Sequence, residues 1–355
     1  MRKWVLPDFV EDVLPPTAAR MEHTRRALID TFSKHGYELV NPPLVEHLDA
    51  LLTGTGRDLE HNTFKLIDPL SGKLLGVRPD ITPQVARIDA TYYPDEEARR
   101  FCYAGEVLRT QAALGSSRAL MQVGAELFGD ASVTGDIEIV RLMIEAARAA
   151  NASPLLLDCG HVAVFKALAK HFELSAKATA LVDAALAAKS ASALDDIKTL
   201  SVEARGVFAA LTTLFGPAKT VLQRARAALP RNADITAALD QLEAVAAAIS
   251  DAGAQCSLDL ADLPGLDYHT GLVFVAYLQN TTHTDKYNAS TDNYNAGTDN
   301  YNASTDNYNA SIVARGGRYD GVGESFSQLG KGRPATGFSF VDLRALTEVT
   351  AEAIR

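Results

Sequence analysis

Leu263-Pro-Gly-Leu-Asp-Tyr-His-Thr-Gly271 and, further along, Ala314-Arg-Gly-Gly-Arg-Tyr-Asp-Gly321 decide how the chain is read. In both, an aspartate and a tyrosine stand between glycines, which suits polar aromatic groups presented where the backbone turns tightly. Taken alone, each stretch has a bland reading: Tyr268 and His269 as core residues, Gly316 to Gly321 as a tight turn. Strands are expected around them, over 255–260, 272–278, 312–315 and 335–341, followed by a C-terminal helix. Short connections between those strands point to an antiparallel sheet.

Upstream, Thr17 to Lys34 places Met21, Leu28, Ile29 and Phe32 at helical spacing, and Gly36 ends that helix before a strand over Tyr37–Pro43 with prolines at its edge. Residues 51–75 are broken by Gly54, Gly56, Pro69 and Gly72 and read as loops and a hairpin. In Gly76-Val-Arg-Pro-Asp-Ile-Thr-Pro, Thr82 before Pro83 is the expected helix N-cap. Arg100–Thr110 and Ala119–Phe128 form two strands around a polar loop, Gln111 to Arg118. Strand alternation then puts Gln122, Gly124 and Glu126 on one face. A helix over Gly135–Ala150 and a strand over Leu155–Asp158 precede an Ala-rich region from Val162 to about Gly253, which reads as helices joined by short turns.

The bulk numbers fit this picture. A chain of 355 residues suggests two or three units, and 47% hydrophobic with 22% charged residues is ordinary globular composition. A formal net charge of -10 disfavours nucleic-acid binding, which rests on Lys and Arg neutralising phosphates. Three scattered cysteines, Cys102, Cys159 and Cys256, argue against a disulfide framework or a zinc site. No apolar run is long enough to cross a membrane, and Pro7, Asp8, Glu11 and Asp12 interrupt the N-terminus where a signal peptide needs an apolar segment, so a cytoplasmic protein is expected. Residues 284–311 are four near-identical heptads of the Thr-Asp-Asn-Tyr-Asn-Ala-Ser type. With nothing aliphatic larger than alanine they cannot form a coiled-coil seam, and a protruding loop is expected.

The order of these pieces over nearly the whole chain resembles the histidyl-tRNA synthetases. The 17–43 segment is similar to class II motif 1, a dimerisation element. Arg109 and the two strands around it are similar to motif 2, and Gly337 to Leu343 with Arg344 is similar to motif 3. The resemblance implies that Asp80 and Thr82 match the turn that takes the α-amino group of histidine, and that Gln122 and Glu126 match the glutamine and glutamate that hold bound histidine. The departures fall on the ATP side. Pro264 replaces an arginine, Leu120 an aromatic that stacks on adenine, Gln111 an acid and Val341 a glycine; Ile81 also replaces a glycine. The chain ends at Arg355, soon after motif 3, so the anticodon-binding domain is expected to be missing.

A catalytically defective synthetase look-alike of this kind resembles the regulatory-subunit family of ATP phosphoribosyltransferase. That resemblance implies an α+β fold, with a class II synthetase-like antiparallel sheet flanked by helices. The expected layout is a catalytic-type domain over 1–160 and 253–355, a helical insertion over 161–252 and a heptad loop over 281–311. It implies a non-catalytic subunit that activates a short-form catalytic subunit in a hetero-octamer, pairs with itself, and mediates feedback inhibition by free histidine in histidine biosynthesis. Histidine would be held by Asp80, Thr82, Arg109, Gln122, Glu126, Tyr268, His269 and Tyr319, with no metal, cofactor, nucleic acid or membrane. The alternatives are a histidine-adenylating enzyme and a histidine-binding module for another partner.

Overall fold

The computed structural model describes residues 6–53, 57–95, 97–111, 117–261, 268–279, 310–327 and 330–352. Pro264, the 112–116 part of the motif 2-like loop and the heptads up to residue 309 lie outside them. The chain divides into two compact units, Met1–Ser153 with Val313–Arg355, and Pro154–Ile312.

In the first unit, α1 (Thr17–Lys34), β1 (Glu38–Leu39), β2 (Val45–His47), α2 (Leu48–Leu52), α3 (Arg57–Asn62), β3 (Phe64–Ile67), β4 (Leu74–Val77), α4 (Thr82–Tyr92), β5 (Arg99–Leu108), β6 (Ala119–Phe128) and α5 (Val133–Ala149) come first in sequence. β11 (Ala310–Arg318), β12 (Ala335–Phe340) and α12 (Leu343–Glu352) come last. The main sheet runs β1-β5-β6-β12-β11. Its central pairs are antiparallel, while β1 lies parallel to β5. The strand expected over Tyr37–Pro43 shrinks to Glu38 and Leu39, because Pro42 and Pro43 have no N–H to give a ladder. A small antiparallel sheet, β2-β4-β3, contains the expected hairpin. Asp68 caps its turn by accepting from the Leu70 and Ser71 N–H groups.

Alternation along the central strands separates a helical layer from the site. Val123, Ala125 and Leu127 of β6 are fully buried on the side where α1, α5 and α12 pack. Leu28 and Phe32 of α1 have no exposed surface, and the Phe32 ring meets Phe338 of β12 edge-on at 5.7 Å. Burying each such side chain contributes roughly 1.5–3 kcal/mol. The opposite face carries Gln122, Gly124 and Glu126, with Gly337 and Ser339 across the ladder in register with Glu126 and Gly124.

The second unit contains β7 (Leu155–His161), α6 (Val162–His171), α7 (Ala176–Ala187), α8 (Ala191–Asp196), α9 (Val202–Leu211), β8 (Phe215–Pro217), α10 (Ala218–Ala228), α11 (Ala233–Asp251), β9 (Gln255–Asp259) and β10 (Leu272–Gln279). Serine and asparagine caps start its Ala-rich helices. Ser175, Ser190, Ser201 and Asn232 each accept a backbone N–H of the first turn. The strands run β10-β7-β9-β8, with β7 and β9 parallel. β8 is absent from the sequence reading, which takes this whole region as helices joined by short turns; its three residues pair with Ser257 to Asp259.

Candidate functional site

The site face of the first unit gathers five of the eight expected residues. Glu126, 1% exposed, sits at its centre. Its Oε1 accepts from the Thr82 hydroxyl at 3.0 Å and the Tyr103 hydroxyl at 3.1 Å, and its Oε2 from the Tyr319 hydroxyl at 2.6 Å. Gln122, equally buried, accepts the Ile81 N–H on Oε1 at 2.9 Å. Its Nε2 donates to Asp80 Oδ2 and to Ser339 Oγ, both at 3.1 Å. Asp80 Oδ1 in turn accepts the Thr82 N–H at 2.8 Å. Thr82 therefore does not cap α4 as the sequence suggests. The neighbouring aspartate takes its N–H, which leaves the threonine hydroxyl free to turn toward Glu126.

Tyr103 and Ser339 are part of this network and are missing from the sequence reading. A signal for both is present. Tyr103 stands opposite Gly124 and Ser339 lies two residues from Gly337, so alternation places each on the site face. The two glycines provide the room. A Cβ at Gly124 would collide with the Tyr103 hydroxyl, and one at Gly337 would collide with Glu126 Oε2.

The other expected residues lie elsewhere in the chain. Arg109 is beside the Asp80 segment, its Nε donating to the Pro79 carbonyl at 3.2 Å. Tyr268 and His269 belong to the second unit, where both are half-buried, their rings meet edge-on at 5.2 Å, and Lys166 Nζ donates to the His269 carbonyl at 2.8 Å. On the ATP side of the resemblance, Leu120 is buried, and Arg344 is engaged by Glu11 at 2.6 Å and Glu348 at 3.0 Å.

Electrostatics make the cluster distinctive. Burial pushes the Glu126 carboxyl up to about 8, against the hydroxyl bonds from Tyr319 and Thr82, with the nearby Asp80 charge pushing the same way as burial. Burial and the Glu126 charge also raise the Tyr103 hydroxyl well above its ordinary range. Tyr319 is placed by its neighbour Arg318, 6% exposed. Arg318 binds Asp136 through Nε at 3.1 and 3.2 Å, the Asp130 carbonyl at 3.0 Å and the Ser132 carbonyl at 3.2 Å. The Asp80 and Glu126 side chains and the Gln122 amide thus converge where a ligand with an ammonium and a ring N–H would find oxygen acceptors. Among the described residues, no cluster of His, Cys, Asp and Glu is arranged to hold a metal, and no helix is long and apolar enough to cross a membrane.

The sequence profile of the histidyl-tRNA synthetase family matches residues 9–284. An ATP phosphoribosyltransferase regulatory subunit from Thiobacillus denitrificans is 44% identical over 348 residues, covering 98% of both chains. The chain belongs to the ATP phosphoribosyltransferase regulatory subunit family. Another member, from Methylobacillus flagellatus, is 42% identical over 98% of this chain and 81% of its own. Among solved structures, a histidine–tRNA ligase subunit from Alicyclobacillus acidocaldarius matches with a TM-score of 0.72 at 25% identity, covering all of both chains. An ATP phosphoribosyltransferase regulatory subunit/histidyl-tRNA synthetase from Bacillus halodurans matches with a TM-score of 0.79 at 22% identity, over 99% of this chain and 84% of that one. The family's fold is therefore the class II synthetase-like sheet expected from the sequence.

Proposed function

We propose that this chain, acting in the cytoplasm, activates a short-form ATP phosphoribosyltransferase catalytic subunit and carries feedback inhibition by free histidine in histidine biosynthesis, without catalysing a reaction itself. The observation behind this reading is the preassembled Asp80–Gln122–Glu126 network. Asp80, with Gln122 fixing its carboxylate, suits the α-amino group of histidine, and Glu126 suits an imidazole N–H. Thr82 and Tyr319 wall that pocket and Arg109 stands beside it; the family resemblance, rather than the geometry, adds Tyr268 and His269. The ATP-side departures and the engagement of Arg344 by two glutamates support the loss of adenylation.

The working assembly is a hetero-octamer in which this chain also pairs with itself. Exposed Leu39 on the motif 1-like segment, with Ile67 and Leu70 on the hairpin, supports self-pairing. Histidine lowers transferase activity by binding more tightly to a less active state of that complex. Isothermal calorimetry tests the pocket. Histidine binds the chain, and Glu126→Ala weakens binding by about tenfold, the loss expected when a buried hydrogen-bonding partner is removed, while activation of the transferase persists. Equal loss of binding and activation in Glu126→Ala would make the residue structural.

A further inference from the structure

The three hydroxyls that surround Glu126 leave its carboxylate almost without exposed surface. A ligand N–H can reach it only if one of them yields. Thr82 is fixed by the backbone at the start of α4, its N–H held by Asp80. Tyr103 has no exposed surface, lies across from Gly124 in the ladder, and its hydroxyl also contacts Thr82 at 3.1 Å. Tyr319 differs from both. It lines a cavity of about 320 Å³, bounded also by Ala90, Phe128 and Val322 and by the charged Asp89, Lys331 and Arg333. A cavity of roughly 150 Å³ is large enough for a benzene molecule, so this space has room for a phenol ring whose hydroxyl faces its polar lining.

The backbone on either side of that ring is secured. Arg318 is tied to α5 and its preceding loop by its bonds to Asp136, Asp130 and Ser132. The Tyr319 N–H donates to the Ala335 carbonyl at 2.8 Å, and the Gly321 N–H to the Arg333 carbonyl at 3.1 Å. Arg333 is itself bound to the buried Asp89 of α4 at 2.7 Å. A change at Tyr319 is therefore confined to the side chain and is felt by the cavity-lining residues Val322, Gly323 and 331–335.

We propose that Tyr319 is the movable gate of the Glu126 cluster: a ligand's ring N–H replaces the tyrosine hydroxyl on Glu126 Oε2, and the tyrosine ring swings into the cavity behind it. This rests on the histidine-pocket reading and adds the step by which occupancy is passed to Val322, Gly323, residues 331–335 and α4.

The test uses the full-length chain labelled with 3-fluorotyrosine, with the Tyr319 resonance assigned by its loss in Tyr319→Phe. Saturating histidine shifts that resonance. Ala90→Leu narrows the cavity without touching Glu126 and weakens histidine binding about tenfold, the upper end for one hydrogen bond. Tyr319→Phe binds histidine at least as tightly as the parent, because no hydroxyl has to leave. An unmoved fluorine resonance at saturation, or unchanged affinity in a folded Ala90→Leu chain, overturns the gate while leaving the pocket standing. Failure of the parent chain to bind histidine overturns both.

Discussion

Gly337→Ala is expected to dismantle the site and destabilise the first unit. Gly337 faces Glu126 directly in the β12–β6 ladder, and its hydrogen occupies the space a methyl group would need. An added Cβ would fall inside contact distance of Glu126 Oε2 and 2.8 Å from the Ala125 carbonyl. The carbonyl belongs to the ladder and cannot retreat, so Glu126 must. Moving it breaks the bonds from Thr82, Tyr103 and Tyr319 and leaves those buried hydroxyls without their acceptor. Overpacking and unsatisfied buried polar groups together cost on the order of 3–5 kcal/mol, a fall in Tm of roughly 10 °C for a domain of this size. Differential scanning calorimetry and a histidine titration read the two consequences. A Gly337→Ala protein with parental Tm and histidine affinity would show that Glu126 is not packed against this glycine.

Glu126→Gln is expected to flatten part of the pH dependence of stability. An unfolded glutamate has a pKa of about 4.3, whereas burial holds this one at about 8 in the folded protein. Between those values the folded state keeps a proton that the unfolded state has released. The stabilisation is full below about pH 4.3 and is lost as pH rises through 8, at roughly 1.4 kcal/mol per pH unit. Glutamine keeps the shape and does not ionise. The difference in stability between the variant and the parent therefore moves in favour of glutamine by several kcal/mol from pH 5 to pH 9. Asp89, which burial raises to about 6, titrates in both proteins and cancels in the difference. Denaturant titrations at several pH values give the comparison. Parallel curves across this range would mean that Glu126 is ionised in the folded protein at neutral pH.

The site was legible where strand geometry does the positioning. Gln122 and Glu126 sit two steps of alternation either side of Gly124, and a strand that reads clearly puts all three on one face. Asp80 and Thr82 were visible as a strand-to-helix turn, but their division of labour was not. Either side chain can cap a helix, and the choice is made by the Glu126 carboxylate, which belongs to a different strand. Tyr103 and Ser339 escaped because their role depends on register between strands, which a single sequence does not state, although the glycine opposite Tyr103 hints at it. In the fold, β8 was hidden by its Gly-Pro pair, and β1 was shortened by prolines that the sequence had already placed at its edge.

Regulation of a partner by this chain is tested most directly by mixing the two. A short-form ATP phosphoribosyltransferase catalytic subunit, assayed with increasing amounts of this chain, gains activity to a plateau, and free histidine reverses the gain in the mixture. No gain at saturating chain would contradict the account, as would histidine-dependent ATP–pyrophosphate exchange by the chain alone.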